Sequence, residues 1–479
     1  MLRLATKARA GGLSNGLNAW LRRTTCSTWS WGSTDHAKLY HASSSDASGD
    51  MTEIEKIMVD SVKATGPLSF STYMQLCLSH PIHGYYMKPE HAVFGTRGDF
   101  TTSPEISQVF GELLAVWMIE QWLSAAGSEP FRIVELGPGR GTLMDDMLRV
   151  VRQVPMASKN LKSVHLVETS GSMRTLQSEK LRNAKEAGGF ELLWHDAIDD
   201  VPHREDTYTM LVAHEFFDAL PVHVLEKTAQ GWHEVLIALS KDPSIKYTIP
   251  SSPASSPRVL VPPPPSLKLQ AMSSRWTRVL SLAPTASSTL LGHMSPRFAA
   301  LPVGSRIEVS GSSVKIARQI AELIQGAEKG CAGGCALAID YGGEKVFGNS
   351  LRVSLWIKFS FFEITLEHKI VDIFHRPGEC DVTANVDFAL LKEVMGDLVT
   401  PHGTLPQGTF LNQLGVHLRA ASLMKSAHTE ERKTAIAEGV KRLVDPLGMG
   451  GQYAVLGVTS NGTSKDGVWP FMQVEGGTQ

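Results

Sequence analysis

The segment from Phe131 to Val154 constrains this chain more than any other. Phe131-Arg-Ile-Val-Glu-Leu136 reads as a buried strand, and Thr142 to Val154 as a helix with Leu143, Met144, Met147, Leu148 and Val151 on one face. Glu135-Leu-Gly137-Pro-Gly139-Arg-Gly141-Thr142 joins them. Glycines let a backbone turn sharply and come close to a ligand. The first turn of the helix adds free N–H groups. A dinucleotide loop needs its third glycine one residue later, where Thr142 stands, so this spacing disfavours a nicotinamide dinucleotide.

Strands and helices then alternate. Val164-His-Leu-Val-Glu168, Phe190 to Trp194, Met210 to His214 and Cys335 to Asp340 read as strands, with Val222 to Lys227 and Trp232 to Ala238 as further ones. Ser172 to Ala187 and Val314 to Ile324 read as helices. The alternation predicts an α/β fold on a parallel, doubly wound sheet. Residues 131–479 form this domain, with a Pro/Ser-rich excursion at 249–270, helical additions at 386–445 and a final strand at Tyr453 to Val458. Ahead of it, residues 51–130 read as a helical cap (52–65, Ser69 to Leu78, Ile106 to Leu123) around loops rich in Gly, Pro and aromatics. Thr52-Glu-Ile-Glu55 has the form of a capping box.

Residues 1–50 differ from the rest. Before Asp35 there are five basic residues, Arg3, Lys7, Arg9, Arg22 and Arg23, and no acid. A basic, Ser-rich, acid-free leader without a long apolar core predicts a mitochondrial transit peptide followed by a linker. The net charge of -2 gives no general affinity for nucleic acid. No apolar run is long enough to span a membrane. Cys331 and Cys335 lack His or Cys partners at zinc-site spacing, so no metal is expected.

Several motifs occur in order: Gly66-Pro-Leu-Ser, His80-Pro-Ile-His-Gly-Tyr-Tyr86, Gly98-Asp-Phe-Thr-Thr-Ser-Pro-Glu105, Val134-Glu-Leu-Gly-Pro-Gly-Arg-Gly-Thr-Leu143, Glu215-Phe-Phe-Asp-Ala-Leu-Pro221 and Asp381-Val-Thr-Ala-Asn-Val-Asp-Phe388. Together they resemble the MidA family, the mitochondrial complex I assembly-factor arginine methyltransferases, over roughly residues 52–460. The resemblance implies a class I methyltransferase fold, Rossmann-like with a mainly parallel seven-stranded sheet. It also implies S-adenosyl-L-methionine as cofactor, and symmetric dimethylation of an arginine on a core subunit of the peripheral arm of complex I, in the matrix. Two other functions stay open: a non-catalytic assembly chaperone that keeps the fold, and a small-molecule methyltransferase. The chain departs from the family at His214, where Asn is usual. It departs again at Val353 to His368, which fits no family segment, so that Ser350-Leu-Arg352 would join more naturally to Lys369-Ile-Val-Asp372.

By this resemblance Gly137, Gly139 and Gly141 wrap the methionine part of the cofactor and Glu135 holds its amino group. Glu168, closing its strand, suits the two ribose hydroxyls, because a carboxylate accepts from a vicinal diol. Asp196 is a candidate for the adenine side or an exposed turn acid. Methyl transfer to arginine needs carboxylates, because a guanidinium keeps its proton at neutral pH and must be gripped in a fork. Glu215 and Asp218, after the fourth strand, are the candidates for that role; the alternative is that they bind backbone amides and shape the turn before Pro221. Asp99 and Glu105 are weaker candidates, better suited to helix capping.

Overall fold

The computed structural model describes residues 51–87, 102–127, 129–204, 206–240, 275–326, 332–357, 367–461 and 467–472. The leader, the 249–270 excursion and Asp99 lie outside the described residues.

The main sheet is built on seven strands: β1 (Phe131–Leu136), β2 (Leu161–Val167), β3 (Glu191–His195), β4 (Tyr208–His214), β5 (Gly334–Gly343), β6 (Val399–Pro406) and β7 (Tyr453–Ser460). Their spatial order is β6-β7-β5-β4-β1-β2-β3, and a two-residue strand, Val386–Asp387, adds to β5. β5, β4, β1, β2 and β3 run parallel, while β7 is antiparallel to both β5 and β6. Every residue of β1, β4 and β7 is buried, the pattern of strands covered on both faces. This is the mainly parallel α/β sheet expected from the alternation.

The helices that position the site follow from capping and apolar spacing. α1 (Glu53–Thr65) starts at Thr52, whose hydroxyl accepts the Glu55 N–H at 3.0 Å. Glu55 does not complete a capping box, since its carboxylate takes Arg275 at 2.6 Å instead. α2 (Phe70–Ser79) and α1 pack on a second sheet. α3 (Gln108–Ala125) is buried on nearly all sides and belongs to the core under the main sheet. α4 (Thr142–Gln153) buries the predicted face, with Val150 added. α5 (Gly171–Gly188) and α6 (Gly311–Ile324) complete the parallel crossovers, each capped by a serine, Ser170 and Ser310.

Two expectations change. The strands His223–Thr228 and Gly231–Leu239 do not join the parallel sheet. They form an antiparallel hairpin, paired through Thr228↔Gly231, in a separate sheet with Leu68–Ser69, Trp276–Leu280 and Arg306–Val309. A turn this tight can only reverse the chain; a parallel neighbour needs a crossover. The helical stretch 386–445 contains an edge strand, β6. The segment that fits no family pattern begins and ends in paired strands, Arg352–Ile357 against Glu367–Val371, with Asp381–Thr383 on the other side.

Of the carboxy-terminal helices α7 (Val416–Ser426) and α8 (Glu430–Val444), α7 docks through one buried acid. Glu112 of α3 is fully buried and accepts a fork from Arg419 of α7 at 2.6 and 3.0 Å, with Arg149 of α4 at 3.3 Å. Removing one partner from such a group leaves charge stranded, at roughly 3–5 kcal/mol when fully buried. Arg149 is partly exposed, so Glu112→Ala should cost about 3 kcal/mol, read as a lowered denaturant midpoint. An unchanged midpoint would show that this acid does not dock α7.

Candidate functional site

A cavity of about 1080 Å³ opens at the carboxyl ends of the parallel strands. Ligands bind there in open α/β sheets. Its wall runs from the glycine loop, through Glu168 and Asp196, to Glu215 and Asp218, and on to Tyr86, Tyr341, Arg352 and Asp381. Of the residues predicted for cofactor and acceptor, Gly137, Gly139, Glu168, Asp196, Glu215 and Asp218 border this one space, while Glu135 and Gly141 do not line it.

The glycine end is built by backbone conformation. Gly137, Gly139 and Gly141 have φ of 65°, 50° and 79°, the left-handed region that side chains disfavour. A Cβ on Gly137 would come 3.0 Å from the Phe216 ring. Glu135 stands directly before the lining residues Leu136 and Gly137. It is buried, its Oε2 has no partner, and desolvation raises its carboxyl to about 8. An orphaned acid behind such a loop fits the amino group of an amino-acid ligand.

Glu168 follows β2 and is fixed from two sides. Its Oε1 accepts the Ser170 N–H at 2.8 Å and its Oε2 accepts Gln177 Nε2 at 3.2 Å. Gln177 also donates to the Gly139 carbonyl at 2.7 Å, and Trp194 Nε1 donates to Gln177 at 2.8 Å. Gln177 thus ties loop, acid and third strand together. Nothing in the local sequence signals this role, since Gln177 sits on the inward face of an ordinary helix. Asp196 is mostly exposed and paired with Arg174 at 2.5 Å. It borders the cavity as a surface acid, already engaged.

At the other end, Glu215 has φ 49°, a left-handed conformation rare for a residue with a side chain. Asp340, on β5 one residue beyond its pairing with β4, holds the turn in place. Its Oδ2 accepts the N–H groups of Phe216, Phe217 and Asp218 at 3.1, 2.8 and 3.3 Å, and its Oδ1 that of Tyr341 at 2.9 Å. Asp340 thus takes three amides of the turn, while Glu215 and Asp218 each also accept a backbone N–H, from Ser103 and Ala219. Glu215 Oε1 is buried and unpartnered, and 3.4 Å from His214 Nε2, itself unpartnered. His214 lies between the Phe110 and Tyr453 rings, and burial lowers its pKa to about 3, so it is neutral.

Burial raises the carboxyls here. Glu215 is pushed to about 8, by desolvation first and then by Asp218; Asp218 is raised by desolvation, Asp340 and Asp381. Tyr86 from the cap donates to Asp381 at 2.7 Å. Tyr341 and Tyr453, register partners across β5 and β7, pack with tilted rings, centroids 4.0 Å apart. Such an acidic, aromatic chamber is suited to a cation. Glu105 is outside it, accepting the Thr142 hydroxyl at 2.5 Å.

The profile of the family described as "Putative S-adenosyl-L-methionine-dependent methyltransferase" matches residues 113–404. The chain belongs to this family. Its cofactor is S-adenosyl-L-methionine, which the glycine loop and the orphaned Glu135 fit. The chain is 31% identical to the human protein named "Protein arginine methyltransferase NDUFAF7, mitochondrial" over 87% of this chain and 85% of that one. It is 34% identical to the Danio rerio protein of the same name, over 85% and 86%. A Drosophila melanogaster homologue is 31% identical over 86% of each. In fold, the chain matches a Burkholderia thailandensis protein crystallised with S-adenosyl-homocysteine, with a TM-score of 0.61 at 22% identity over 85% of this chain and 91% of that one.

The raised acids make apo stability pH-dependent. Unfolded, these carboxyls ionise near 4.5; folded, Glu135 and Glu215 hold protons to about 8. Between these values the folded state binds more protons, so stability falls as pH rises. The melting temperature without ligand should drop between pH 6 and 8.5. A rise over that interval would contradict the buried-acid arrangement.

Proposed function

We propose that this chain is a protein arginine methyltransferase that symmetrically dimethylates an arginine on a core subunit of complex I, in the mitochondrial matrix. The observation that carries the arginine reading is the pair Glu215 and Asp218 in a buried aromatic chamber continuous with the cofactor cavity. The names of the relatives support a protein acceptor and a mitochondrial location. The acid-free leader supports import.

The geometry supports the following roles. Gly137, Gly139 and Gly141 let the backbone pass close to the methionine part of the cofactor, Glu135 takes its ammonium, and Glu168 the ribose diol. Asp196 borders the adenine end from the surface. S-adenosylmethionine supplies a methyl group on a sulfonium, open to attack in line. The chain must then align one guanidinium nitrogen and exclude water. Glu215 and Asp218 grip the guanidinium and draw its positive charge toward the nitrogens they hold. That leaves electron density on the remaining nitrogen. Guanidinium entry brings positive charge among protonated acids, so it favours their ionisation. The proton displaced by methylation passes to a carboxylate.

Glu215→Gln keeps shape and most hydrogen-bonding capacity but removes the charge. Losing a charge-assisted bond costs roughly 1.5–3 kcal/mol, about one to two decades in rate if it acts in the transition state. This variant should bind S-adenosylhomocysteine with wild-type affinity by calorimetry and transfer methyl groups 10- to 100-fold more slowly. Normal transfer would return Glu215 to a purely structural part. Full rescue of complex I assembly by a variant unable to methylate would favour the chaperone function.

A further inference from the structure

Arg352 lies among the chamber's acids. Arg352 opens the Arg352–Ile357 strand, paired with Thr383 two residues beyond Asp381. The backbone before it is fixed, because the Glu308 carboxylate accepts the Ser350 N–H at 2.9 Å and the Leu351 N–H at 3.3 Å. The Ser350 hydroxyl also donates to Glu308 and accepts the Asn385 N–H at 2.9 Å. The guanidinium is held twice over. Its plane lies over the Tyr341 ring, 4.7 Å from the centroid, and Nη1 donates to Asn385 Oδ1 at 2.5 Å. Nη2 is buried and has no partner among the described residues. Arg352 lines the cavity together with Glu215, Asp218 and Asp381.

A guanidinium has donors only. Keeping one charged N–H buried and unpaired is costly, so a fixed Arg that lines a cavity and keeps one nitrogen without a partner is a ready partner for an oxygen of the ligand. The same chamber offers carboxylates for a cation. The two together call for a molecule with a guanidinium at one end of a short chain and an oxygen acceptor at the other. An arginine residue within a peptide has both, its main-chain carbonyl being the acceptor. A free alkylguanidine has only the first.

We propose that Arg352 Nη2 receives a main-chain carbonyl of the segment bearing the acceptor arginine, so that Arg352 selects peptide arginine over small guanidines. This rests on the arginine reading of Glu215 and Asp218. Arg352 is a specificity-determining residue: it measures the distance from guanidinium to backbone and takes no part in the displacement. Asn385 and Tyr341 set its plane, and Glu308 sets its height on the chamber wall.

The test pairs a protein change with a ligand change. N-acetyl-arginine N-methylamide has the carbonyl; butylguanidine does not. Binding of each is measured by calorimetry in saturating S-adenosylhomocysteine, to the wild type, Arg352→Met and Glu215→Gln. The carbonyl should improve wild-type affinity about tenfold, the worth of one charge-assisted hydrogen bond. In Arg352→Met that advantage should vanish while butylguanidine and S-adenosylhomocysteine bind as before. Arg352→Lys, which keeps charge without the planar fork, should recover only part of it and serves if the methionine variant does not fold. An equal carbonyl advantage in wild type and Arg352→Met overturns the inference and leaves the arginine reading standing. So does loss of S-adenosylhomocysteine affinity in Arg352→Met, which would assign Nη2 to the cofactor carboxylate. If neither guanidine binds the wild type, and Glu215→Gln changes nothing, the arginine reading falls and this inference with it.

Discussion

The site depends on one carboxylate. Asp340, on β5 one residue beyond its pairing with β4, collects the N–H groups of Phe216, Phe217 and Asp218 from the neighbouring strand end and that of Tyr341 from its own. A buried anion is tolerated only when its oxygens are satisfied, and this one is satisfied by backbone alone. The clamp has two effects. It holds Glu215 in a left-handed conformation that its side chain would otherwise resist. It also absorbs the amides of the turn, so Glu215 keeps an oxygen free. Because β4 and β5 are parallel neighbours, paired from Gly334↔Thr209 to Ile339↔His214, their carboxyl ends rise together and the clamp can reach across.

The rest of the architecture closes the chamber around that turn. Phe216 packs close to Gly137, so the turn of Glu215 to Asp218 and the glycine loop press on each other and share one cavity. From the amino-terminal side, Tyr86 reaches Asp381 and Glu105 reaches Thr142. From the carboxy-terminal side, Tyr453 of β7 packs against Tyr341, and Glu112 draws α7 against α3. Elements distant in sequence each supply one contact, so the chamber exists only in the complete fold.

Local pattern made the glycine end readable. Strand, loop and helix are consecutive, and each has its own signal: apolar run, glycine spacing, amphipathic face. The chamber was half readable. Glu215 and Asp218 stand out at a strand end, but Asp340, Arg352, Tyr341 and Tyr453 meet only through β5, β7 and the Arg352–Ile357 strand, and none has a local signature. β6 escaped for a different reason. Val399-Thr-Pro-His-Gly-Thr-Leu-Pro406 contains two prolines and a glycine, which argue against a strand; at the sheet edge, with a register shift between His402 and Leu405, they are tolerated. The hairpin His223–Leu239 was read as strands but placed in the wrong sheet, because strand pattern does not reveal pairing partners.

The central claim is that this chamber transfers methyl groups to arginine within a protein. The most direct measurement is incubation of the purified chain with S-adenosylmethionine labelled in its methyl group and mitochondrial protein from cells lacking it, followed by acid hydrolysis and amino-acid analysis. Label is expected in symmetric dimethylarginine, recovered from a complex I core subunit and formed about 10- to 100-fold more slowly with Glu215→Gln. Label confined to small molecules, or in a different amino acid, would contradict it.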